Sequence, residues 1–314
     1  MTHLLVTGAD GFAGRWLVRE ALAQGWTVTA AIGPGGESPA AWLSPAAAAG
    51  VGTFTADVTV PADLTRLAAV DAGAVVHLAA VSSGAAARKD PQAAMEVNGI
   101  ATVRLLEALA EAGHRPRFLF VSTGEVYGAG HAGPIPEAAP LHPVSPYAAS
   151  KFAAEPAVLD MASAAGMDAI VARAFPHSGP GQSTAFVLPA FAARLREAKR
   201  LGQREIPVGN LDVIRDFLDV RDVVRAYLLL LEQGRAGECY NVATGAGQHL
   251  RDCFVRLARL LKMDAMPVED ASLVRPADIP VLIGDPAKLK AATGWQPTID
   301  FEQTLQDLLD AQAH

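Results

Sequence analysis

Short apolar segments alternate with longer stretches of helical spacing along the first half of the chain. Segments rich in β-branched or apolar residues predict strands, namely LLVTG, TVTAAI, VGTFTADV, AVVHLAA, RFLFVST and DAIVARAF. The stretches between them, such as RWLVREALAQG and GIATVRLLEALAEAG, have helical spacing and end at Gly25 and Gly113, where helices commonly stop. Strands that are apolar throughout, with helices between them, are typical of a parallel sheet covered on both faces. We therefore predict an α/β fold with a doubly wound parallel sheet.

The pattern changes after Phe175, where glycine and proline accumulate in FPHSGPGQ. A basic helical stretch, FAARLREAKRLGQR, follows, and later come the turn VGNLDVIRDF, a further helix and the proline-rich VRPADIP. We predict a smaller, mostly helical C-terminal lobe whose loops cover the carboxyl edge of the sheet. We place the sheet domain at residues 1–172, with returning segments near 213–243, and the second lobe at residues 173–314.

Composition and charge narrow the class of protein. The formal net charge of −7 argues against a nucleic-acid partner that binds by charge. The two cysteines, Cys239 and Cys253, have no CxxC spacing and no histidine cluster nearby, which argues against a disulfide framework and a metal site. No signal peptide is evident, and the apolar stretch VVRAYLLLL is too short to cross a bilayer and contains Arg225. We expect a soluble, cytoplasmic protein without a membrane partner.

A glycine-rich turn follows the first predicted strand. In VTGADGFAG, Gly8, Gly11 and Gly14 surround Phe12 at the start of the first helix. Glycines at this point permit a tight turn and let the backbone approach a pyrophosphate, whose charge the helix N-terminus favours. A plain tight turn is the alternative, but the position between the first strand and its helix favours a dinucleotide site.

The sequence leaves alternatives open for the residues that would contact the adenosine part of the dinucleotide. An acid at the end of the second strand would hold a ribose 2′-hydroxyl, and an arginine would accept a 2′-phosphate. The segment AAIGPGG has neither, so NAD and NADP both stay open. The absence of a repelling carboxylate slightly favours NADP, and Arg15 could contribute. Asp57, with Val58 beside it, is placed either to bind the adenine amine or to cap the helix that follows.

The segment SPYAASK contains a candidate catalytic pair. Tyr147 and Lys151 are four residues apart and share one face of a helix. A neighbouring ammonium favours the phenolate, so we expect the pKa of Tyr147 to be lowered. Such a tyrosine can exchange a proton with a substrate while a hydride moves to or from a nicotinamide. The alternative, an exposed helical tyrosine, is less consistent with the preceding glycine turn and strands.

With these motifs the chain resembles the extended short-chain dehydrogenases/reductases, in particular the branch that modifies nucleotide sugars. The resemblance extends over almost the whole chain and is carried by TGADGFAG, HLAA, EVNGIAT, VSTGEVYG, YAASK, RAF…GPGQ, RDFLDVRD and TGWQP. It implies a Rossmann-type cofactor domain and a catalytic tetrad of Asn98, Thr123, Tyr147 and Lys151. In that tetrad Thr123 would hydrogen-bond the sugar and Lys151 would orient the cofactor ribose. His77 is more typical of a packed strand residue than of a catalyst.

The resemblance also implies contacts for cofactor and substrate. In the family, HLAA places its last three residues, Leu78, Ala79 and Ala80, against the cofactor. The second half is most similar to reductases of GDP-bound 4-keto-6-deoxy sugars. There Arg215 and Arg275 suit a clamp on the substrate pyrophosphate, and a structural ion pair is the less favoured alternative for Arg215. Ser82 and Ser83 would lie near the sugar or serve as turn residues.

Glu125, in VSTGEVYG, bears on which reaction the chain catalyses. A 4,6-dehydratase needs a base beside the hydroxyl residue, and related dehydratases carry a glutamate at this position. Some also carry an acid just before it, where this chain has Gly124. A 4-ketoreductase needs only a hydride from NAD(P)H and a proton from Tyr147, so we predict a reductase. The alternatives are a nucleotide-sugar 4-epimerase or 4,6-dehydratase and, in another class, a non-catalytic dinucleotide-sensing protein.

Two prolines depart from the family pattern. Pro176 replaces an asparagine that usually helps to hold the nucleotide sugar, and proline offers neither that amide nor a backbone N–H. Pro156 lies inside the helix that begins near Tyr147, where an interior proline costs about 3 kcal/mol or kinks the helix. The family uses this helix in a dimer interface, so we expect a homodimer whose geometry Pro156 could alter.

Overall fold

A parallel sheet forms the centre of the molecule in this computed structural model, which describes residues 2–274 and 279–311. Its strands follow the order β11-β6-β5-β4-β1-β2-β3. All six strand pairs of this sheet are parallel. The strands of the chain are β1 (His3–Thr7), β2 (Thr27–Ile32), β3 (Val51–Thr55), β4 (Ala74–His77), β5 (Arg117–Thr123), β6 (Ala169–Ala174), β7 (His177–Ser178), β8 (Glu205–Val208), β9 (Ile214–Asp216), β10 (Leu218–Asp219), β11 (Cys239–Val242), β12 (Gly247–His249), β13 (Met266–Glu269) and β14 (Val281–Leu282).

Helices cover both faces of this sheet and make up much of the second half. They are α1 (Phe12–Ala23), α2 (Pro45–Ala49), α3 (Pro61–Ala68), α4 (Gly84–Lys89), α5 (Pro91–Met95), α6 (Ala101–Glu111), α7 (Pro146–Ala164), α8 (Val187–Leu201), α9 (Val220–Gln233), α10 (Leu250–Leu260), α11 (Ala287–Thr293) and α12 (Phe301–Ala311). A π-helical segment, Glu96–Ile100, joins α5 to α6, and short 3₁₀ turns occur at Pro39–Ala41, Gly124–Tyr127 and Ala271–Leu273.

The first strand shows why the sheet is covered on both faces. Leu4, Leu5 and Val6 are all fully buried. Successive side chains of a strand point to opposite faces, so Leu4 and Val6 enter one hydrophobic core and Leu5 enters the other. Burying such a side chain stabilises the fold by about 1.5–3 kcal/mol. The prediction of a doubly wound parallel sheet is confirmed.

The strand order reverses at β1, and this reversal positions the site. From β1 the chain first builds β2 and β3 on one side and then returns to place β4 on the other. Thr7 pairs with His77 at the carboxyl ends of β1 and β4. Ligands of open α/β sheets bind in the crevice at such a switch point.

The C-terminal part has a separate hydrophobic core. Helices α8, α10 and α12 pack together through residues such as Phe191, Phe254 and Leu308, which are almost fully buried. The predicted mostly helical C-terminal portion is thus confirmed. The chain also returns to the main sheet, where β11 pairs with β6 and α9 packs against α1. The strand β11 was not predicted from the sequence.

Helix α7 runs without interruption through Pro156, whose side chain is exposed. Tyr147 and Lys151 lie in the first turns of this helix, ahead of the proline.

Within the described residues, no helix is both long and apolar enough to cross a membrane.

Candidate active site

A cavity of about 570 Å³ lies at the carboxyl end of the sheet, between the sheet and the second lobe. This volume is typical of a small-molecule site. Most of the sequence-predicted residues meet in its wall, namely Gly8, Gly11, Phe12, Gly14, Asp57, Val58, Leu78, Ala79, Ala80, Ser82, Ser83, Thr123, Glu125, Tyr147, Lys151 and Arg215. Asn98 is not among the lining residues, and Arg275 lies outside the described residues.

The glycine turn brings backbone close to the cavity. Gly8 has a φ of +66°, and a Cβ there would approach the Ala79 nitrogen to 2.8 Å. A Cβ on Gly14 would collide with the Gly8 carbonyl. Helix α1 starts immediately afterwards, with Gly11 at its N-cap and no side chain capping it. The helix N-terminus therefore presents backbone N–H groups and a positive dipole end, which suit a pyrophosphate.

Next to the glycine turn, Asp10 shapes the end of β2. Its Oδ1 accepts a hydrogen bond from Gly33 N at 3.1 Å, and both residues line the cavity. Arg15 lies outside this wall and donates to Asp10 O and to Glu37 Oε2, each at 2.8 Å. A phosphate bound beside Arg15 would therefore compete with the Glu37 carboxylate.

Asp57 stabilises the turn after β3 rather than the helix after it. Its Oδ1 accepts from the nitrogen and the hydroxyl of Thr59 at 2.9 and 2.7 Å, whereas Val60 is the N-cap of α3. The helix-cap alternative for Asp57 is therefore wrong. Asp57 and Val58 line the cavity.

The predicted catalytic pair begins α7. Ser145 caps this helix by accepting from Ala148 N at 3.1 Å. One turn after Tyr147, the Lys151 ammonium donates to Val121 O at 2.9 Å and lies 4.9 Å from the centre of the Phe120 ring. Lys151 is only 3% exposed, and burial lowers its pKa to about 7, against the opposing charge of Glu155.

The expected lowering of the Tyr147 pKa is not what the structure shows. Burial of the phenol raises the pKa of Tyr147, and the negative charge of Glu125 raises it further. A hydrogen bond with Thr123 acts in the opposite direction without overcoming these effects. The sequence-based expectation counted only the helical neighbour Lys151, whose ammonium donates to Val121 O. Tyr147 is thus a neutral phenol at pH 7, the state of a proton donor.

Asn98 lies behind the cavity, in the π-helical segment. It is fully buried, and its side chain donates to Val81 O at 3.2 Å and to Ser150 Oγ at 2.9 Å while accepting from Val81 N at 2.8 Å. It thereby joins the loop after β4 to helix α7. His77 is also fully buried, between the hydroxyls of Thr7 and Thr102. The expectation of a packed strand histidine agrees with this position.

The residues predicted for the substrate come from different elements of the cavity wall. Ser83 caps α4 by accepting from Ala86 N at 3.3 Å, and Ser82 precedes it. Arg215 in β9 donates to the carbonyls of Ile214 and Ile279 at 2.8 and 2.6 Å. The adjacent Asp216 accepts from Thr244, Gly245 and Gly284 backbone nitrogens.

Other cavity residues were not selected from the sequence. They are mostly residues of the second half and of the strand ends, including Phe175, His177, Gln182, Phe186 and Tyr227. The His177 ring stacks on Phe12 with the ring centres 6.0 Å apart. The accumulation of glycine and proline in FPHSGPGQ predicted a loop. It did not indicate which residues of that loop line the cavity.

Comparisons with known proteins agree with this geometry. Residues 5–308 match the family model described as GDP-mannose 4,6 dehydratase. The chain belongs to this family. It is therefore an enzyme of the extended short-chain dehydrogenase/reductase type, as the resemblance implied.

Two relatives and one solved structure are similar to this chain over most of their own length. A GDP-6-deoxy-D-mannose reductase of Pseudomonas aeruginosa is 40% identical over 239 residues, which cover 75% of this chain and 79% of the relative. A GDP-mannose 4,6-dehydratase of Vibrio cholerae is 29% identical over 295 residues, covering 82% and 79%. The solved structure of RMD from Pseudomonas aeruginosa complexed with NADPH is 35% identical, with a TM-score of 0.85 over 99% of this chain and 98% of that chain.

The burial of Lys151 predicts a dependence of stability on pH. Its pKa is about 7 in the folded protein against 10.5 for an unperturbed lysine. Between these values the unfolded chain binds more protons, so the free energy of unfolding rises with pH. From about pH 7 to about pH 8.5 this amounts to about 2 kcal/mol. Urea unfolding at several pH values in this range should show the rise in the wild type and not in Lys151→Met. The same slope in both proteins would contradict the assignment.

Proposed function

We propose that this enzyme reduces the 4-keto group of a nucleotide-bound 4-keto-6-deoxy sugar, such as GDP-4-keto-6-deoxymannose, with NADPH or NADH. One observation carries the proposal. Tyr147, held protonated beside Thr123, lies in the same cavity as a glycine turn suited to a dinucleotide. The similarity to a GDP-6-deoxy-D-mannose reductase supports the same reaction.

The chemistry of a ketone reduction matches the state of this site. A bound reduced nicotinamide would supply a hydride to the carbonyl carbon, and negative charge would then develop on the carbonyl oxygen. Tyr147 donates its phenolic proton to that oxygen, while Thr123 holds the oxygen by a hydrogen bond. Lys151, one turn after Tyr147 on α7, would orient the cofactor ribose. A 4,6-dehydratase or epimerase must first oxidise the sugar, which requires Tyr147 to accept a proton. Reduction needs Tyr147 in its protonated state, in which burial and the charge of Glu125 hold it.

The residues around the glycine turn fit the cofactor of this reaction. Backbone N–H groups at the start of α1 would bind the pyrophosphate, and Asp57 would accept from the adenine amine. We propose NADP as the slightly favoured cofactor because β2 is followed by Gly33 rather than by an acid. The RMD structure with NADPH supports this preference. The preference for NADP would depend on Arg15, whose ion pair with Glu37 would be replaced by a contact with the 2′-phosphate.

The substrate would occupy the side of the cavity near Ser82, Ser83 and Arg215. An arginine offers two parallel donors to phosphate oxygens, which suits the pyrophosphate of a nucleotide sugar. Arg275 is proposed for the same role from the sequence alone. Pro176 lines this cavity without an amide, so the sugar contacts there would differ from the usual asparagine contact.

A homodimer and a cytoplasmic location stay predictions. The surface on which a second copy would pack is a groove between α6 and α7, lined by Leu106, Glu107, Ala110, Glu111, Met161, Ala164 and Ala165.

Glu125 supports one second candidate, a GDP-mannose 4,6-dehydratase. Glu125 lines the cavity, and its negative charge raises the pKa of Tyr147. A carboxylate at this position could remove the proton next to a ketone. The family description and the Vibrio cholerae relative favour testing this reaction.

The variant Glu125→Gln separates the two functions. A reductase has no proton to remove from the sugar, so we expect its kcat to fall by less than about tenfold. A dehydratase would lose general-base catalysis, on the order of 10²- to 10⁴-fold. Rates are measured as NADPH oxidation with GDP-4-keto-6-deoxymannose and as keto-sugar formation from GDP-mannose. Conversion of GDP-mannose by the wild type and its loss in Glu125→Gln would reject the reductase.

A further inference from the structure

The hydroxyl of Tyr227 is the feature of the cavity that the proposed reaction leaves without a role. Tyr227 lies in the middle of α9 and is 0% exposed. Within the part of the chain that the structure describes, its oxygen is buried and has no hydrogen-bond partner. The other two buried atoms without partners belong to Arg117 and Arg196, whose guanidinium groups donate through other nitrogens.

Two other buried tyrosines behave differently. The Tyr127 hydroxyl donates to Asn241 Oδ1 at 2.7 Å and accepts from Arg173 at 2.9 Å. The Tyr240 hydroxyl accepts from Arg235 N at 2.9 Å. Buried polar groups are normally satisfied in this way, because an unpaired donor loses its bonds to water and gains nothing in return. The Tyr227 hydroxyl is therefore destabilising until something binds to it.

Tyr227 forms part of the cavity wall. The same wall includes Phe175, Pro176, Thr123 and Tyr147. Helix α9, which carries Tyr227, packs against β5 and β6, the strands that lead to Thr123 and Phe175. Burial raises the pKa of Tyr227, and a phenolate at Tyr147 would raise it further. The glycine turn and Asp57 would hold the other end of a dinucleotide. A partner of Tyr227 would thus belong to the nicotinamide end of the cofactor.

The chemistry of the hydroxyl indicates its partner. With a raised pKa, Tyr227 is a neutral donor in surroundings made mostly of apolar side chains. An anionic partner would be costly to bury there, whereas a neutral amide oxygen loses little and needs a donor. The nicotinamide ring carries one such group, its carboxamide.

We propose that the Tyr227 hydroxyl donates a hydrogen bond to the nicotinamide carboxamide and holds the ring in the orientation for hydride transfer. The proposal rests on the nicotinamide cofactor of the proposed function but not on the identity of the sugar. Tyr227 is a positioning residue in this role, because it takes no part in proton or hydride transfer.

The test compares Tyr227→Phe with the wild type in binding two probes, without any sugar. NADPH carries the carboxamide, and ADP-ribose 2′-phosphate is the same molecule without the nicotinamide. We expect Tyr227→Phe to weaken NADPH binding by about fivefold and to leave the affinity for ADP-ribose 2′-phosphate unchanged, as measured by calorimetry. The thermal midpoint of the variant without ligand should rise by about 2 °C, because the unpaired hydroxyl has been removed.

Tyr240→Phe is the matched control, since it removes a buried hydroxyl that has a partner away from the cavity. It should lower the thermal midpoint without ligand by about 2 °C and bind both probes normally. Unchanged NADPH affinity in Tyr227→Phe would overturn the proposal, as would equal weakening of both probes. Since no turnover is measured, a different sugar substrate would not affect the result.

Discussion

Replacing Tyr147 by phenylalanine should lower kcat for the ketone reduction by on the order of 10²- to 10⁴-fold. The ring and its packing are kept, so the affinity for NADPH should stay within about twofold of the wild type. The large effect follows from the position of the hydroxyl, hydrogen-bonded to Thr123 at the wall of the cavity and held protonated by its burial.

Steady-state kinetics and cofactor binding on the same preparations check this prediction. Tyr240→Phe is the control for this experiment, because it removes a buried tyrosine hydroxyl outside the cavity. It should leave kcat unchanged. A Tyr147→Phe rate within tenfold of the wild type would show that another group protonates the sugar. A parallel loss of NADPH affinity would show that the hydroxyl mainly binds the cofactor.

The second large effect is a loss of stability when a buried ion pair between β6 and α7 is broken. Arg173 in β6 donates through Nη2 to Glu155 Oε2 at 2.7 Å, and the two side chains are 6% and 3% exposed. Arg173 also donates to the hydroxyl of Tyr127 at 2.9 Å and to Glu137 O at 3.1 Å. Glu155 lies one turn beyond Lys151, so the pair anchors α7 to β6.

Arg173→Met should therefore lower the free energy of unfolding by about 3–5 kcal/mol, because it leaves the Glu155 carboxylate buried without its partner. Urea unfolding at about pH 7 measures this loss. The loss should shrink toward about pH 5, since an unpaired buried carboxylate has a raised pKa and takes up a proton.

The double variant Arg173→Met/Glu155→Met is the control, because removing both charges avoids the uncompensated one. It should recover most of the stability. A loss below about 1 kcal/mol in the single variant, or a double variant no more stable than the single, would contradict this account.

The strands and helices of the first half follow from local pattern, and the structure agrees with them. Strands such as LLVTG are buried on both faces and are therefore apolar throughout. β11 has no comparable signal, since CYNV is short and contains the buried Asn241. Asn241 is polar because its amide donates to Ile135 O, at 2.8 Å and more than a hundred residues away in sequence. Only the folded chain brings such partners together.

The site was predictable where a motif joins neighbouring residues. The glycine turn, Asp57 and the Tyr147–Lys151 pair were each selected from a local motif, and all of them line one cavity. The pKa of Tyr147 was not predictable, because it depends on burial and on Glu125 rather than on its helical neighbour alone. Tyr227 lies in an apolar helix and reads as an ordinary core residue, so nothing in its local sequence distinguishes it.

The most direct measurement of the central claim follows a hydride from cofactor to sugar. Purified enzyme is mixed with GDP-4-keto-6-deoxymannose and NADPH, or NADH, deuterated at the transferred position of the nicotinamide. The account predicts one oxidised cofactor for each product over many turnovers, with deuterium at C4 of the sugar and faster reaction with NADPH. Turnover of GDP-mannose without net oxidation of added cofactor, and no oxidation with the keto sugar, would contradict it.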